Sequence, residues 1–326
     1  MIKSYLNNIE YFLGSLKQDN SVFLKSIGKN KIKTQKILEK VGVSVRNIAD
    51  KKTFSNDLAF KSASKIIKQI NRKKIDYLIN CTQTPEYLIP TNACILQKKL
   101  KLKNNIGALD INLGCSGFIY LLSLAKGLIS SKTSKNILLI TTDTYSKLID
   151  PQDLSTKLIF SDASTTSLVS ANKTKNSFEI LNFEFGTDGS GSRDFICDDF
   201  GTKNLSNKFV KQPKINMNGT KIFEFTLNTI PSFILNFLYN NKINKSKIKY
   251  FFFHQASKLV LDNIQKKLDL KDENMVNDLK SVGNTVSSSI PIILKKKFKN
   301  IRKNELILLC GFGVGLSWGA CLLKKT

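Results

Sequence analysis

The chain has 326 residues, 41% hydrophobic and 23% charged, so it can bury a substantial core and is not compositionally disordered. Lys and Arg number 51 against 25 Asp and Glu, a formal net charge of +26 that lysine carries almost alone, because Arg46, Arg72, Arg193 and Arg302 are the only arginines. Apolar runs long enough to span a membrane are absent, and Cys81, Cys94, Cys115, Cys197, Cys310 and Cys321 are scattered without a CxxC pair, which argues against a zinc cage or a disulfide framework.

The opening MIKSYLNNIEYFLGSLKQ lacks the charged, then apolar, then small order of a secretory signal. With the cysteine usage, this predicts a cytoplasmic protein with reduced thiols. Strands are expected where β-branched and aromatic residues cluster, at 75–82 (IDYLINCT), 107–113, 136–142 (NILLITT), 248–254 (IKYFFFH) and 305–310 (ELILLC). Helical stretches fall between them, notably 118–130 and 258–268. That alternation predicts an α/β fold of βαβ units around a buried, largely parallel sheet. Residues 186–216, rich in Gly, Asp, Ser and Asn, are expected to form a long surface connection.

A faint repeat runs through these elements. IDYLINCTQ ends its strand with Cys81, and IKYFFFHQA ends its own with His254. DINLGCSGFIY places Cys115 between a strand and a helix, and NDLKSVGNTVSSSIP does the same with Asn284. KNILLITTD at 135–143 is answered by KNELILLCG at 303–311. Three motifs in one order at nearly one spacing predict a duplicated α/β domain, with halves at 1–172 and 173–326.

Chemistry concentrates at the ends of the repeated strands. Cys115 precedes an apolar helix, where the dipole and free N–H groups would favour thiolate. His254, the single histidine, follows a run too apolar to face water, and a dry pocket would keep it neutral and able to donate one hydrogen bond. Asn284 sits at the mouth of the next helix. The terminal GFGVGLSWGA lacks a following βαβ unit, so it is not a dinucleotide loop, but its N–H groups could hold an oxyanion.

LGCSGFIY, HQAS, GNTVSSSIP and GVGLSWGA, in this order, resemble the 3-oxoacyl-(acyl-carrier-protein) synthase III family of the thiolase-like fold. The resemblance spans nearly the whole chain and implies a layered α-β-α-β-α core. It implies that Cys115 accepts an acyl group from a thioester and that His254 and Asn284 hold the malonyl thioester oxygen during decarboxylation. The backbone of Cys115 and Val314 would form the second oxyanion hole. Gly313 and Gly315 would border the substrate pocket, with Ile89 reaching it from a partner subunit. It further implies an acyl carrier protein as partner, an acyl thioester substrate, a homodimer, and no metal or redox cofactor.

Departures from the family pattern shape the expectation. Val314 interrupts the family's glycine turn. Lys36 and Lys40 stand at the positions that clamp the adenine of acetyl-CoA, which favours a carrier-bound donor. Lys258 is a carrier-docking candidate, and Leu259 replaces the docking arginine. An acyltransferase of the same fold acting on oxygen or nitrogen acceptors is the main alternative. Thiolase chemistry fits less well, because Cys310 is one residue out of place and on a strand one step reverses the face. A basic nucleic-acid-binding protein lacks supporting motifs.

Overall fold

The computed structural model describes residues 2–26, 31–202 and 212–326. Its strands are β1 (Tyr5–Leu13), β2 (Leu16–Asp19), β3 (Val45–Ile48), β4 (Tyr77–Cys81), β5 (Gly107–Ile111), β6 (Asn136–Asp143), β7 (Ala163–Ser170), β8 (Phe178–Thr187), β9 (Phe195–Ile196), β10 (Asn216–Met217), β11 (Ile248–Phe253), β12 (Leu306–Gly313) and β13 (Ser317–Lys325). The helices are α1 (Asn20–Ser26), α2 (Lys31–Val41), α3 (Ser55–Ile67), α4 (Asn92–Lys99), α5 (Gly117–Ser130), α6 (Leu154–Lys157), α7 (Gly219–Asn240), α8 (Lys258–Lys267), α9 (Leu279–Val282) and α10 (Ser289–Lys297).

The main sheet runs β11-β12-β13-β8-β1-β7-β6-β4-β5 and reads alike from its two ends. Each half has a parallel pair, β4–β6 and β11–β12, followed by two antiparallel steps, β6–β7–β1 and β12–β13–β8. The parallel pairing of β5 with β4 is answered by a parallel bridge between Phe251 and Met275 beside β11. The halves join where β1 meets β8, at Tyr5–Glu179 and Leu6–Phe178. Position 172/173 falls in the connection between β7 and β8.

Strand residues alternate between two apolar environments, which is why these segments read as continuous hydrophobic runs. Ile79, Ile137, Leu139, Phe252, Ile307 and Leu309 face an inner core. Leu78, Leu138 and Ile140 face the outer core under α3 and α4, and Phe251, Phe253, Leu308 and Cys310 face the one under α7 and α8. Helix α5 is buried between the half-sheets, against β4 and β6 on one side and β12 and β13 on the other. Helix α10 joins it in that layer, packing on β1, β7, β11 and β12. The result is a duplicated, five-layered α-β-α-β-α core.

The sheet is mixed rather than largely parallel, because β1, β7, β8 and β13 run antiparallel to their neighbours. Strand β7 escapes notice in the sequence because its ASTTSLVS is mostly Ser and Thr, although every residue is buried. Ser167 Oγ apart, which has no hydrogen-bond partner among the described residues, its hydroxyls are paired inside, as Ser164 is with Ser62 at 3.0 Å, Thr166 with Ser62 at 2.8 Å and Thr165 with Thr141 at 2.6 Å. Such pairing removes the cost of burying them. Strand β12 continues past Cys310 to Gly313 because it pairs with β13 up to Ser317. The expected connection at 186–216 is partly ordered by β9 pairing with β10, and residues 203–211 lie outside the described residues.

Phe252 is fully buried in the inner core. Phe252→Ala is expected to cost ~3–5 kcal/mol, measured as a lowered midpoint in equilibrium denaturation with an unchanged slope.

Candidate active site

Cys115 lies just ahead of α5, with Ser116 as the helix cap. The turn is tight because α5 must start close against the sheet: a Cβ on Gly117 would stand 2.4 Å from Cys81 Sγ. On the opposite side, a Cβ on Gly313 would stand 2.9 Å from Cys115 Cβ and 3.0 Å from its Sγ. The β12–β13 hairpin of the second half therefore touches the thiol with bare backbone. Neither the Cys115 nor the Val314 N–H pairs with a backbone carbonyl among the described residues. Burial pushes the Cys115 thiol well above its usual range, and the carboxyl of Asp143 adds to the shift. The helix terminus therefore does not outweigh desolvation, and the resting group is a protonated thiol.

His254 follows β11 and is buried, its backbone N–H donating to Cys310 O at 2.9 Å. Ser289 Oγ, at the first residue of α10, lies 2.7 Å from Nδ1, and Phe312 packs edge-on to the ring with centroids 5.6 Å apart. Desolvation lowers the imidazole pKa from 6.5 to about 3, opposed by a backbone hydrogen bond with Val286, so the ring is neutral at physiological pH.

Asn284 is pinned by its backbone: its N–H donates to Ile159 O at 3.0 Å and its C=O accepts from Ser161 N–H at 2.8 Å. Its Oδ1 accepts from Val286 N–H at 2.9 Å and its Nδ2 donates to Ala256 O at 3.4 Å. The second amide hydrogen has no protein partner among the described residues. Val286 has φ 54°, in the left-handed region that a β-branched residue avoids. This strained residue touches both Asn284 and His254, fixing one donor relative to the other.

Cys115, His254, Asn284 and Gly313 border one cavity of about 220 Å³. Its walls are apolar, with Phe160, Phe195, Met217, Phe223 and Phe312 prominent. Lys40 and Leu259 also border it. Lys36, Lys258, Val314, Gly315 and Ile89 do not. Lys258 is exposed and paired with Asp262 one turn along α8, Gly315 is exposed in the hairpin turn, and Ile89 is 83% exposed in this single chain. Sequence reasoning missed Ser289, which orients the histidine, and the aromatic wall; an isolated Ser or Phe gives no signal until the fold brings it to the thiol. Among the described residues there is no group of His, Cys, Asp and Glu suited to hold a metal ion, and no helix is long and apolar enough to cross a membrane.

A duplicated α/β core that presents a buried Cys, His and Asn at one narrow apolar cavity defines a thiolase-like acyl-transfer scaffold. Residues 109–189 match the family described as 3-oxoacyl-(acyl-carrier-protein) synthase III, and residues 238–325 match that family's C-terminal region. The beta-ketoacyl-(acyl-carrier-protein) synthase III 2 of Staphylococcus epidermidis is 33% identical over 294 residues, covering 89% of each chain. The synthase III of Campylobacter fetus subsp. fetus is 33% identical over 296 residues, covering 88% of this chain and 89% of that one. A solved 3-oxoacyl-(acyl-carrier-protein) synthase from Burkholderia xenovorans superposes with a TM-score of 0.89 at 31% identity, over 99% of this chain and 94% of that one. The chain belongs to the 3-oxoacyl-(acyl-carrier-protein) synthase III family and is an acyltransferase.

Two outcomes follow from this geometry. With one histidine in the chain, its imidazole NMR signal is unambiguous; titration is expected with a midpoint below pH ~4, and a midpoint near 6.5 would contradict the dry site. Gly313→Ala is expected to keep the fold and slow thioester acylation of Cys115 by ~10²-fold or more, followed by intact-mass kinetics.

Proposed function

We propose that the chain condenses an acyl group with a malonyl thioester through an acyl-Cys115 intermediate. The observation that carries this is the convergence of Cys115, His254, Asn284 and Gly313 on one cavity. The Cys115 sulfur attacks the donor thioester, the new C–S bond replaces the old one, and the released donor thiol carries the proton away. Backbone N–H groups of Cys115 and Val314 hold the oxyanion of that step. The malonyl thioester then places its carbonyl oxygen against His254 and Asn284. Both are neutral donors in a dry site, so the enolate formed on loss of CO2 gains more from them than the ground-state carbonyl does. The carbanion attacks the acyl carbon on Cys115, the new C–C bond forms as the C–S bond breaks, and the expelled thiolate takes up a proton from water to restore the thiol. No metal or redox cofactor enters this scheme.

Acyl carrier protein is the proposed donor and acceptor partner, delivered to the rim formed by Lys40 and the Lys258–Leu259 start of α8. The protein works in the cytoplasm as a homodimer, and the exposed apolar run Tyr87, Leu88 and Ile89 is the segment that the partner subunit would cover, placing Ile89 at the partner's acyl site. Halves 1–172 and 173–326 then contribute the nucleophile and the two donors respectively.

The reading is tested by offering acetyl-carrier protein and acetyl-CoA, then malonyl-carrier protein, while following intact mass and CO2. Cys115→Ala is expected to abolish the acyl adduct. His254→Ala and Asn284→Ala are each expected to lower CO2 release ~10²–10³-fold while the adduct still forms. Acyl transfer to an oxygen or nitrogen acceptor without CO2 release would replace the condensation reading with heteroatom transfer.

A further inference from the structure

The connections of the fold lie at two opposite ends of the sheet. Tyr77, Gly107 and Ile137 begin β4, β5 and β6 side by side, and Ser170 closes β7 against Asn136 and Tyr5. Lys324, near the end of β13, stands against Glu179 and Leu306, and Ile248 opens β11 next to Leu306. These positions share one end of the fold. Cys115 follows β5, His254 follows β11 and Gly313 closes β12, all at the other end.

Charge is divided unequally between the two ends. The segments that build the end away from Cys115 are 2–5, 66–77, 98–107, 130–137, 170–179, 241–249, 266–274, 295–306 and 323–326. They hold 28 Lys and Arg against 6 Asp and Glu, so this end carries +22 of the chain's +26. Helix C-termini favour cations, which accounts for some of these, such as Lys98 and Lys99 at the end of α4. It does not account for Lys73, Lys74, Lys173, Lys175, Lys247 and Lys303, which are exposed outside the α-helices. Carboxylates pair with only a minority, as Glu179 does with Lys3 at 2.9 Å and Asp76 with Lys103 at 3.3 Å. Near the middle of this end, Lys175, Lys295, Lys296 and Lys299 border a cavity of about 530 Å³ that no carboxylate lines. Glu10 and Asp278 pair with Lys295 and Lys296, but Lys175 and Lys299 have no ion pair among the described residues.

We propose that this end is a docking surface for an anionic lipid bilayer. The cations follow the ends of α3, α4, α5, α8 and α10 and so spread over every layer of the core, rather than along one groove. Only an extended, flat polyanion meets such a face at once. Of the 28 cations, 26 are lysine, a hydrated point charge that attracts phosphate without the planar fork by which arginine reads it. No exposed side chain at this end is aromatic among the described residues, so nucleotide bases have no platform to stack on. Ile2 is the one exposed large apolar side chain there among the described residues. The surface therefore rests on headgroups without insertion, and its attachment is reversible and weakened by salt. Docked in this way, the chain keeps the Cys115 cavity turned away from the lipid. The inference is independent of the condensation reading.

The test is co-sedimentation of the full chain with vesicles of phosphatidylcholine, alone or with about a third phosphatidylglycerol. Wild type is expected to partition onto the anionic vesicles ~10-fold or more above the neutral ones, and to leave them at ~0.5 M salt. The double variant Lys175→Glu/Lys299→Glu is expected to lower that partitioning ~10-fold or more. Lys51→Glu/Lys52→Glu makes the same change of charge at the opposite end, where Lys147 Nζ donates to Asp50 O at 3.1 Å, and is expected to alter it less than ~2-fold. All four side chains are exposed. Lys175→Gln/Lys299→Gln, with a smaller drop, serves in place of the first pair should circular dichroism show that one unfolded. Equal binding to both kinds of vesicle, binding to neither, or equal loss in the two charge-reversed pairs overturns the docking surface. Displacement of the bound protein by a single-stranded oligonucleotide at equal phosphate concentration overturns the lipid assignment in favour of nucleic acid.

Discussion

The approach of the Gly313 backbone to Cys115 is the contact on which the rest of the site depends. A Cβ added at Gly313 would stand only 3.0 Å from the sulfur, which leaves no room for a side chain, so the β12–β13 hairpin closes directly over the turn that opens α5. Cys115 belongs to one half of the duplicated fold and Gly313 to the other. Their contact shuts out water along the seam, and α5 and α10, buried between the half-sheets, hold the seam together. Loosening it would hydrate the thiol, the imidazole and the amide at once.

Dryness explains why the site is built from neutral groups. The same desolvation raises Cys115, lowers His254 to about 3 and raises Asp143 to about 7. Within such a seam a fixed charge is expensive, while a charge that appears during reaction meets preoriented dipoles whose cost was met on folding. The strained backbone of Val286 fits this account, because it links His254 and Asn284, the two side chains proposed to hold one oxygen. Unlike these, most of the excess lysines are outside, Lys325 being a buried exception. Lys40 borders the cavity, and Lys258 is partly neutralised by Asp262. Most of the +26 is therefore a surface property that acts through a field screened by salt, affecting encounter with acidic partners more than bond making.

Much of the fold was legible where apolar runs were unbroken. The strands around Ile79, Leu139, Phe252 and Leu309 face core on both sides, so their composition alone announces them. The antiparallel strands were not. β7 hides behind Ser and Thr whose hydroxyls find partners only after Ser62 and Thr141 arrive from other elements, and β1 and β8 have mixed faces whose pairing is long-range. In the site, Cys115, His254 and Asn284 carried recognisable neighbours. Ser289 did not, because it acts through a contact with His254, whose place in the sequence is distant.

By itself the sequence carried the duplicated α/β plan and marked Cys115, His254 and Asn284 as candidates, since these depend on local patterns: a strand ending in a polar residue, glycines at a tight turn, an apolar helix behind a cysteine. Only the tertiary structure decided the state of those groups. The expectation of a thiolate at a helix terminus gave way to a protonated thiol, because the dipole acts locally while desolvation depends on everything packed around the sulfur. The same holds for the space beside Cys115. Its extent depends on where Phe160, Phe195 and Met217 come together, and that is a property of packing rather than of any one segment.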